Sequence, residues 1–175
     1  MKASFNEIII RLMITVIILV MLEIFSSAIL PALGIRDYTL AFHVLITIFL
    51  GFRFNSSLTP WILLILQIFH SAFSVEGWAL ATFAALVVCL LINYLKDLMQ
   101  ISSLVSTIIV VAIFQIVWFL VVASVIAAKN NDFSLILPRV MRIIPETIGI
   151  SLFAPLFFKV LGRVWREKDD EGVTI

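Results

Sequence analysis

Long apolar runs separated by brief polar breaks organise this chain, and the runs have helical rather than strand length. A helix needs roughly 20 apolar residues to cross a hydrocarbon core of about 30 Å. The first run, Ile8 to Leu30, meets that length and ends near Pro31. The second, Tyr38 to Phe52, is short, and Arg53, Phe54, Asn55 and Ser56 form its exit turn. A third helix starts at Thr59-Pro60, where a first-turn proline loses no helical hydrogen bond, and ends near Ser74. The fourth runs from Trp78 to Leu95 and is closed by Lys96-Asp97; the fifth covers Ser103 to Ala128. Phe133 to Ile144 carries Pro138, Arg139 and Arg142 and fits a segment lying in the interface, after which Pro145 to Val160 crosses with a kink at Pro155. The pattern predicts an all-α integral membrane protein, a compact bundle of six transmembrane helices. Five is the alternative, with the second segment re-entrant.

Composition strengthens this reading. The chain is 63% hydrophobic and 13% charged, against about 45–50% and about 25% for soluble domains. A net charge of +1 provides no basic stripe for nucleic acid. The single cysteine, Cys89, lies inside an apolar run, which excludes an intrachain disulfide and any CxxC pattern. Ile8 to Leu30 is too long for a signal-peptide core and reads as a retained helix. Residues 1–162 form a single transmembrane domain, and residues 163–175 a short cytoplasmic tail. With six crossings and both termini cytoplasmic, the inner side receives Lys2, Arg11, Arg53, Lys96, Lys159, Arg163, Arg166 and Lys168, and the outer side Arg36, Lys129, Arg139 and Arg142. Eight against four satisfies the positive-inside rule. The connections are too brief for a domain outside the membrane, so function must come from the helices or from a partner that touches them.

The informative residues are the polar ones inside the apolar runs: Glu23, His43, Gln67, His70, Asn93, Gln115 and Glu146. Ionisable groups in a bilayer usually face the bundle interior or water. Following the chain up and down places Glu23, His43, His70 and Glu146 at similar outward depth, with Gln67 one turn below His70 on the same face. Such a set predicts an outward-facing polar pocket or a partner seam. The plainer account is interhelical hydrogen bonding, worth roughly 0.6 kcal/mol per contact, and it suits Gln115 and Asn93 best. Arg142 and Glu146 are spaced for a local i, i+4 pair.

No pattern points to chemistry. Glu23, His43 and His70 are of metal-ligating type, but no local spacing such as HExxH joins them, so the expectation is no metal. Neither a GxSxG elbow nor a Gly-rich phosphate loop is present, and the expectation is no catalytic residue and no cofactor. Trp61, Trp78 and Trp165 near helix ends suit an aromatic belt, while Trp118 lies deeper. Ala81 and Ala85 have the small-xxx-small spacing that lets helices approach closely. Arg163, Arg166 and Lys168 form a cytoplasmic basic patch that suits anionic lipid or a partner's acids, and equally a plain topology signal.

The order of these features resembles the MreD family of rod-shape-determining proteins of the bacterial inner membrane. Members often carry Leu-Gln near the outer end of helix one, where Leu22-Glu23 stands here, and Pro-Asp-Leu at the start of helix two, where Arg36-Asp37-Tyr38 keeps the aspartate. Their third helix often reads like GLLQDL before a short loop and a glycine. Here Leu66-Gln67-Ile68-Phe69-His70 precedes Ser74-Val75-Glu76-Gly77, with His70 in the aspartate position. Leu152-Phe153-Ala154-Pro155-Leu156-Phe157-Phe158, followed by basic residues, looks like the family's last helix. The resemblance implies a non-catalytic scaffold of the cell-elongation machinery. It would bind an MreC-like single-pass partner through its transmembrane helices, and through it connect to MreB filaments, the RodA glycosyltransferase and a class B penicillin-binding protein. MreD-like proteins are also similar in layout to the substrate-binding S components of energy-coupling-factor (ECF) transporters, which implies an alternative role as the binding subunit for a vitamin-like molecule. Against it, Ile8 to Leu22 shows no AxxxA coupling pattern.

Overall fold

A computed structural model describes residues 5–32, 40–54, 58–74, 77–96, 103–130 and 136–165. Six helices make up this part of the chain, and no strand occurs among the described residues. Helix α1 (Phe5–Ile24) continues through a π turn, Phe25–Ile29, into a last short piece, Leu30–Ala32. Then come α2 (Phe42–Arg53), α3 (Thr59–Ser71), α4 (Trp78–Leu95), α5 (Leu104–Asn130) and α6 (Ile136–Val164). Four stretches, in α1, α4, α5 and α6, are long and apolar enough to cross a membrane, so the chain is a multi-pass membrane protein. At 12 and 13 residues, α2 and α3 are about 18 and 20 Å long, below the thickness of the hydrocarbon core.

Helix boundaries follow local chemistry. Pro60 occupies the first turn of α3. Gly77 precedes α4 with φ of 77°, a left-handed conformation that costs glycine nothing. Beyond Ser71 the backbone tightens, with the Ala72 and Phe73 amides donating to the Phe69 and His70 carbonyls, so α3 ends before the expected Ser74. The largest difference lies in α6. A separate interfacial segment followed by a helix starting at Pro145 was the expectation, but one helix of 29 residues runs through both Pro145 and Pro155. A proline removes one backbone donor, a loss that helices packed in a membrane bundle tolerate.

Helix α2 is the axis of the bundle. Every residue from Phe42 to Gly51 is buried, so its apolar residues point inward on all sides. Around it stand α4, α3, α5, α6 and α1, with α5 and α6 paired along their length. Close approach of α2 to α4 rests on small residues. Ala81, Ala84 and Ala85 are buried on α4, and a methyl group placed on Gly51 of α2 would lie 2.9 Å from the Ile92 Cδ1 of α4. The outer faces are apolar and exposed. On α6 the stripe Ile144, Ile148, Leu152 and Leu156 faces outward, while Ile150, Ala154, Phe157 and Leu161 face in. This inside-out distribution belongs to a helix bundle solvated by lipid tails.

Candidate functional site

Three helix ends meet at one end of the bundle and bring ionisable side chains together. Glu23 is the penultimate residue of α1, two residues before the π turn; His43 is the second residue of α2; His70 is the penultimate residue of α3. All three are buried, with relative exposures of 6%, 7% and 5%. Glu23 Oε1 lies 2.9 Å from His70 Nδ1 and 3.6 Å from His43 Nδ1. The first distance is a hydrogen bond, and a Glu23 carboxylate accepts it from His70 Nδ1–H; the second is an electrostatic contact. The two imidazoles stack with centroids 3.5 Å apart and planes 23° apart, and Trp118 of α5 meets His43 edge-on at 5.1 Å. Pairing the carboxylate with an imidazole N–H offsets part of the cost of burying it in a low-dielectric interior.

Below the trio a second layer fixes the α2–α3 register. The Gln67 amide donates to Thr47 Oγ1 at 3.3 Å, and the Thr47 hydroxyl donates to the His43 carbonyl at 2.9 Å. Above it, the Leu40 amide donates to Ser26 Oγ at 3.1 Å, joining the π turn to the entry of α2. Several polar atoms nonetheless have no hydrogen-bond partner: both nitrogens of His43, His70 Nε2 and Gln67 Oε1. Such buried atoms are rare in native structures and call for a physical explanation.

Of the residues singled out in the sequence, Glu23, His43 and His70 meet directly, and Gln67 joins them through Thr47. Glu146, half-buried on α6, is not part of the group whose ligating atoms lie within 4.8 Å of one another. The Arg142 side chain, and with it the expected pair with Glu146, lies outside the described residues, as do Arg166, Lys168 and Glu76. Arg163 is exposed near the end of α6. Ala81 and Ala85 are buried, as helix packing requires. Asn93 points an amide toward Cys89 Sγ at 4.0 Å within α4, and Gln115 is buried on α5 three residues from Trp118. Trp61 and Trp78 are exposed at helix starts in the manner of an aromatic belt, but Trp165 is buried and donates from Nε1 to Thr15 Oγ1 at 3.0 Å. An interhelical hydrogen bond, not an interface with headgroups, therefore accounts for Trp165.

Sequence reading missed Thr47, Ser26, Thr15 and Trp118 as members of these layers. Thr47 follows His43 by one turn and Trp118 follows Gln115 by three residues, so helical spacing carried a signal for both. Comparison of this chain with protein-family models, with curated proteins and with solved structures finds no match.

Proposed function

We propose that this protein is a non-catalytic scaffold of the bacterial cell-elongation machinery, similar to MreD, that binds an MreC-like single-pass partner in the plane of the inner membrane. One observation carries the reading: the interior pairs Glu23–His70, Gln67–Thr47 and Trp165–Thr15 join helices inside the bundle, while the outer faces of α1, α4, α5 and α6 are broad exposed apolar surfaces. A protein built this way acts by lateral helix contact, where packing and a few polar bonds provide the affinity. Indirect links to MreB filaments, RodA and a class B penicillin-binding protein belong to the same reading. So do six crossings, with α2 and α3 extended to the interfaces by their flanking residues, and both termini in the cytoplasm.

The transporter-subunit alternative rests on the same buried trio. Imidazoles with centroids 3.5 Å apart are in van der Waals contact, which leaves no volume between them for a vitamin-sized molecule. The scaffold reading is therefore preferred. Affinity purification of the detergent-solubilised protein from its native membrane tests it. Recovery of a coiled-coil, single-pass protein with a large extracytoplasmic domain is the expected result. Recovery of paired ATPase subunits without it overturns the reading in favour of transport.

A further inference from the structure

We propose that Glu23, His43 and His70 form a binding site for a divalent first-row transition ion, zinc foremost, which ties α1 to α2 and α3. Each residue offers one ligating atom, and these atoms lie within 4.8 Å of one another. Two imidazoles and one carboxylate are a known zinc donor set, with bond lengths of about 2.0–2.2 Å. In a tetrahedral site such bonds set neighbouring donor atoms roughly 3.4 Å apart. The measured contacts from Glu23 Oε1, 2.9 Å to His70 Nδ1 and 3.6 Å to His43 Nδ1, bracket that spacing. The nitrogen-rich set disfavours magnesium and calcium, which take oxygen ligands.

Burial supplies a second, independent observation. His43 is 7% exposed, His70 5%, and neither the two nitrogens of His43 nor His70 Nε2 has a hydrogen-bond partner. A ligand bond at Nδ1 gives His43 a partner the apolar surroundings otherwise deny it. The backbone adds a third. Glu23 stands two residues before a π turn, a local distortion that recurs at functional sites.

The geometry also states what must move. An ion lies in the plane of each imidazole it binds, and planes 23° apart at 3.5 Å cannot both contain it. One ring must swing open. His43 is the less restrained, since its contact with Glu23 is 3.6 Å and no hydrogen bond holds either of its nitrogens, whereas His70 is bonded to Glu23 at 2.9 Å. Coordination also displaces the Nδ1 proton of His70, which leaves to solvent. A divalent ion with one carboxylate retains a single positive charge, so hydroxide or another small anion completes the fourth position.

The full-length protein, purified in detergent with an affinity tag free of histidine, is titrated with Co²⁺ and then with Zn²⁺. Expected are one ion per chain, cobalt visible bands of a low-coordinate site, and their loss on displacement by zinc. Glu23→Gln, His43→Ala and His70→Ala should each weaken uptake by at least about 100-fold. Uptake by the wild type that equals that of the His43→Ala/His70→Ala double variant overturns the proposal. Should these variants fail to fold, the wild type alone decides. Its thermal midpoint should fall on treatment with a strong chelator and return with Zn²⁺, and an unchanged midpoint overturns the proposal.

Discussion

Replacing Gly51 by alanine tests the closest helix approach in the bundle. Alanine is preferred to glycine inside a helix by about 1 kcal/mol, so the substitution begins with a gain. The added methyl then meets the Ile92 Cδ1 at 2.9 Å, Cγ2 at 3.3 Å and Cβ at 3.5 Å. Carbon atoms prefer separations of about 3.5–4.0 Å, so Cδ1 must retreat by roughly 0.6 Å or more. Ile92 is fully buried and β-branched, which leaves it little freedom to turn. Overpacking of this kind costs about 1–3 kcal/mol, so the single variant should be destabilised by about 0–2 kcal/mol net. Ile92→Val removes the offending Cδ1 atom and by itself costs about 0.5–1.5 kcal/mol. In the double variant one methyl replaces another across the same contact, and the two changes should be coupled favourably by about 1–2 kcal/mol. Reversible unfolding in mixed detergent and dodecyl sulfate micelles, run on all four proteins, measures that coupling. Strict additivity would show that Gly51 and Ile92 do not share a contact, and the placement of α2 against α4 would be wrong.

Four further outcomes can be checked with the same preparations. Glu23→Ala leaves the buried His70 imidazole without its acceptor and should cost about 1–3 kcal/mol in the same unfolding assay, while Glu23→Gln, which keeps an accepting oxygen, should cost less. Ala81→Leu and Ala85→Leu each force a large side chain into a buried face of α4, and should lower the unfolding midpoint by the equivalent of about 1–3 kcal/mol or reduce partner recovery; unchanged stability and unchanged co-purification would contradict the packing. Trp165→Phe loses both the bond to Thr15 and some buried volume; the part due to the bond, about 1 kcal/mol, should vanish in a Thr15→Val background while the packing loss remains. In a Cys89→Ala background, cysteines placed at Asp169 and Glu76 should label from opposite sides of the membrane in intact cells, and labelling from one side would refute six crossings.

Much of the fold was legible because lipid imposes simple rules. Helix α4 begins and ends where Gly77 and Lys96 mark the sequence, and proline at the start of α3 behaves as it does in soluble helices. The helix runs through Pro145, where a start was expected, because a membrane helix can carry proline in its interior. The candidate site was half legible for a geometric reason. Counting residues up and down a bilayer yields depth, and depth grouped Glu23, His43, His70 and Glu146. Contact also needs the rotation of each helix about its axis, which apolar runs with little periodicity do not reveal. Three of the four residues turn toward one another, and Glu146 lies apart from their group.

Rotation is where the polar residues of α1 matter most. Among the residues of α1 and its π turn whose side chains are described, only Thr15, Leu19, Glu23 and Ser26 are buried, whereas Ile10, Met13, Ile17 and Met21 are exposed. Exchanging one apolar face for another would change little in lipid, where tails are as apolar as leucine and no hydrophobic force selects a face. Three of the four buried residues are polar, and each is bonded to a different part of the bundle: Thr15 to Trp165 after α6, Glu23 to His70 of α3, and Ser26 to the Leu40 amide before α2. Thr15 and Glu23 lie eight residues apart on one stripe, so these two tethers grip the helix at points about 12 Å apart along its axis. Two grips fix both the rotation and the tilt of a rod, which a single polar contact cannot do. The Glu23–His70 and Thr15–Trp165 bonds thus hold α1 to one orientation, and that orientation decides which apolar face a neighbouring helix meets.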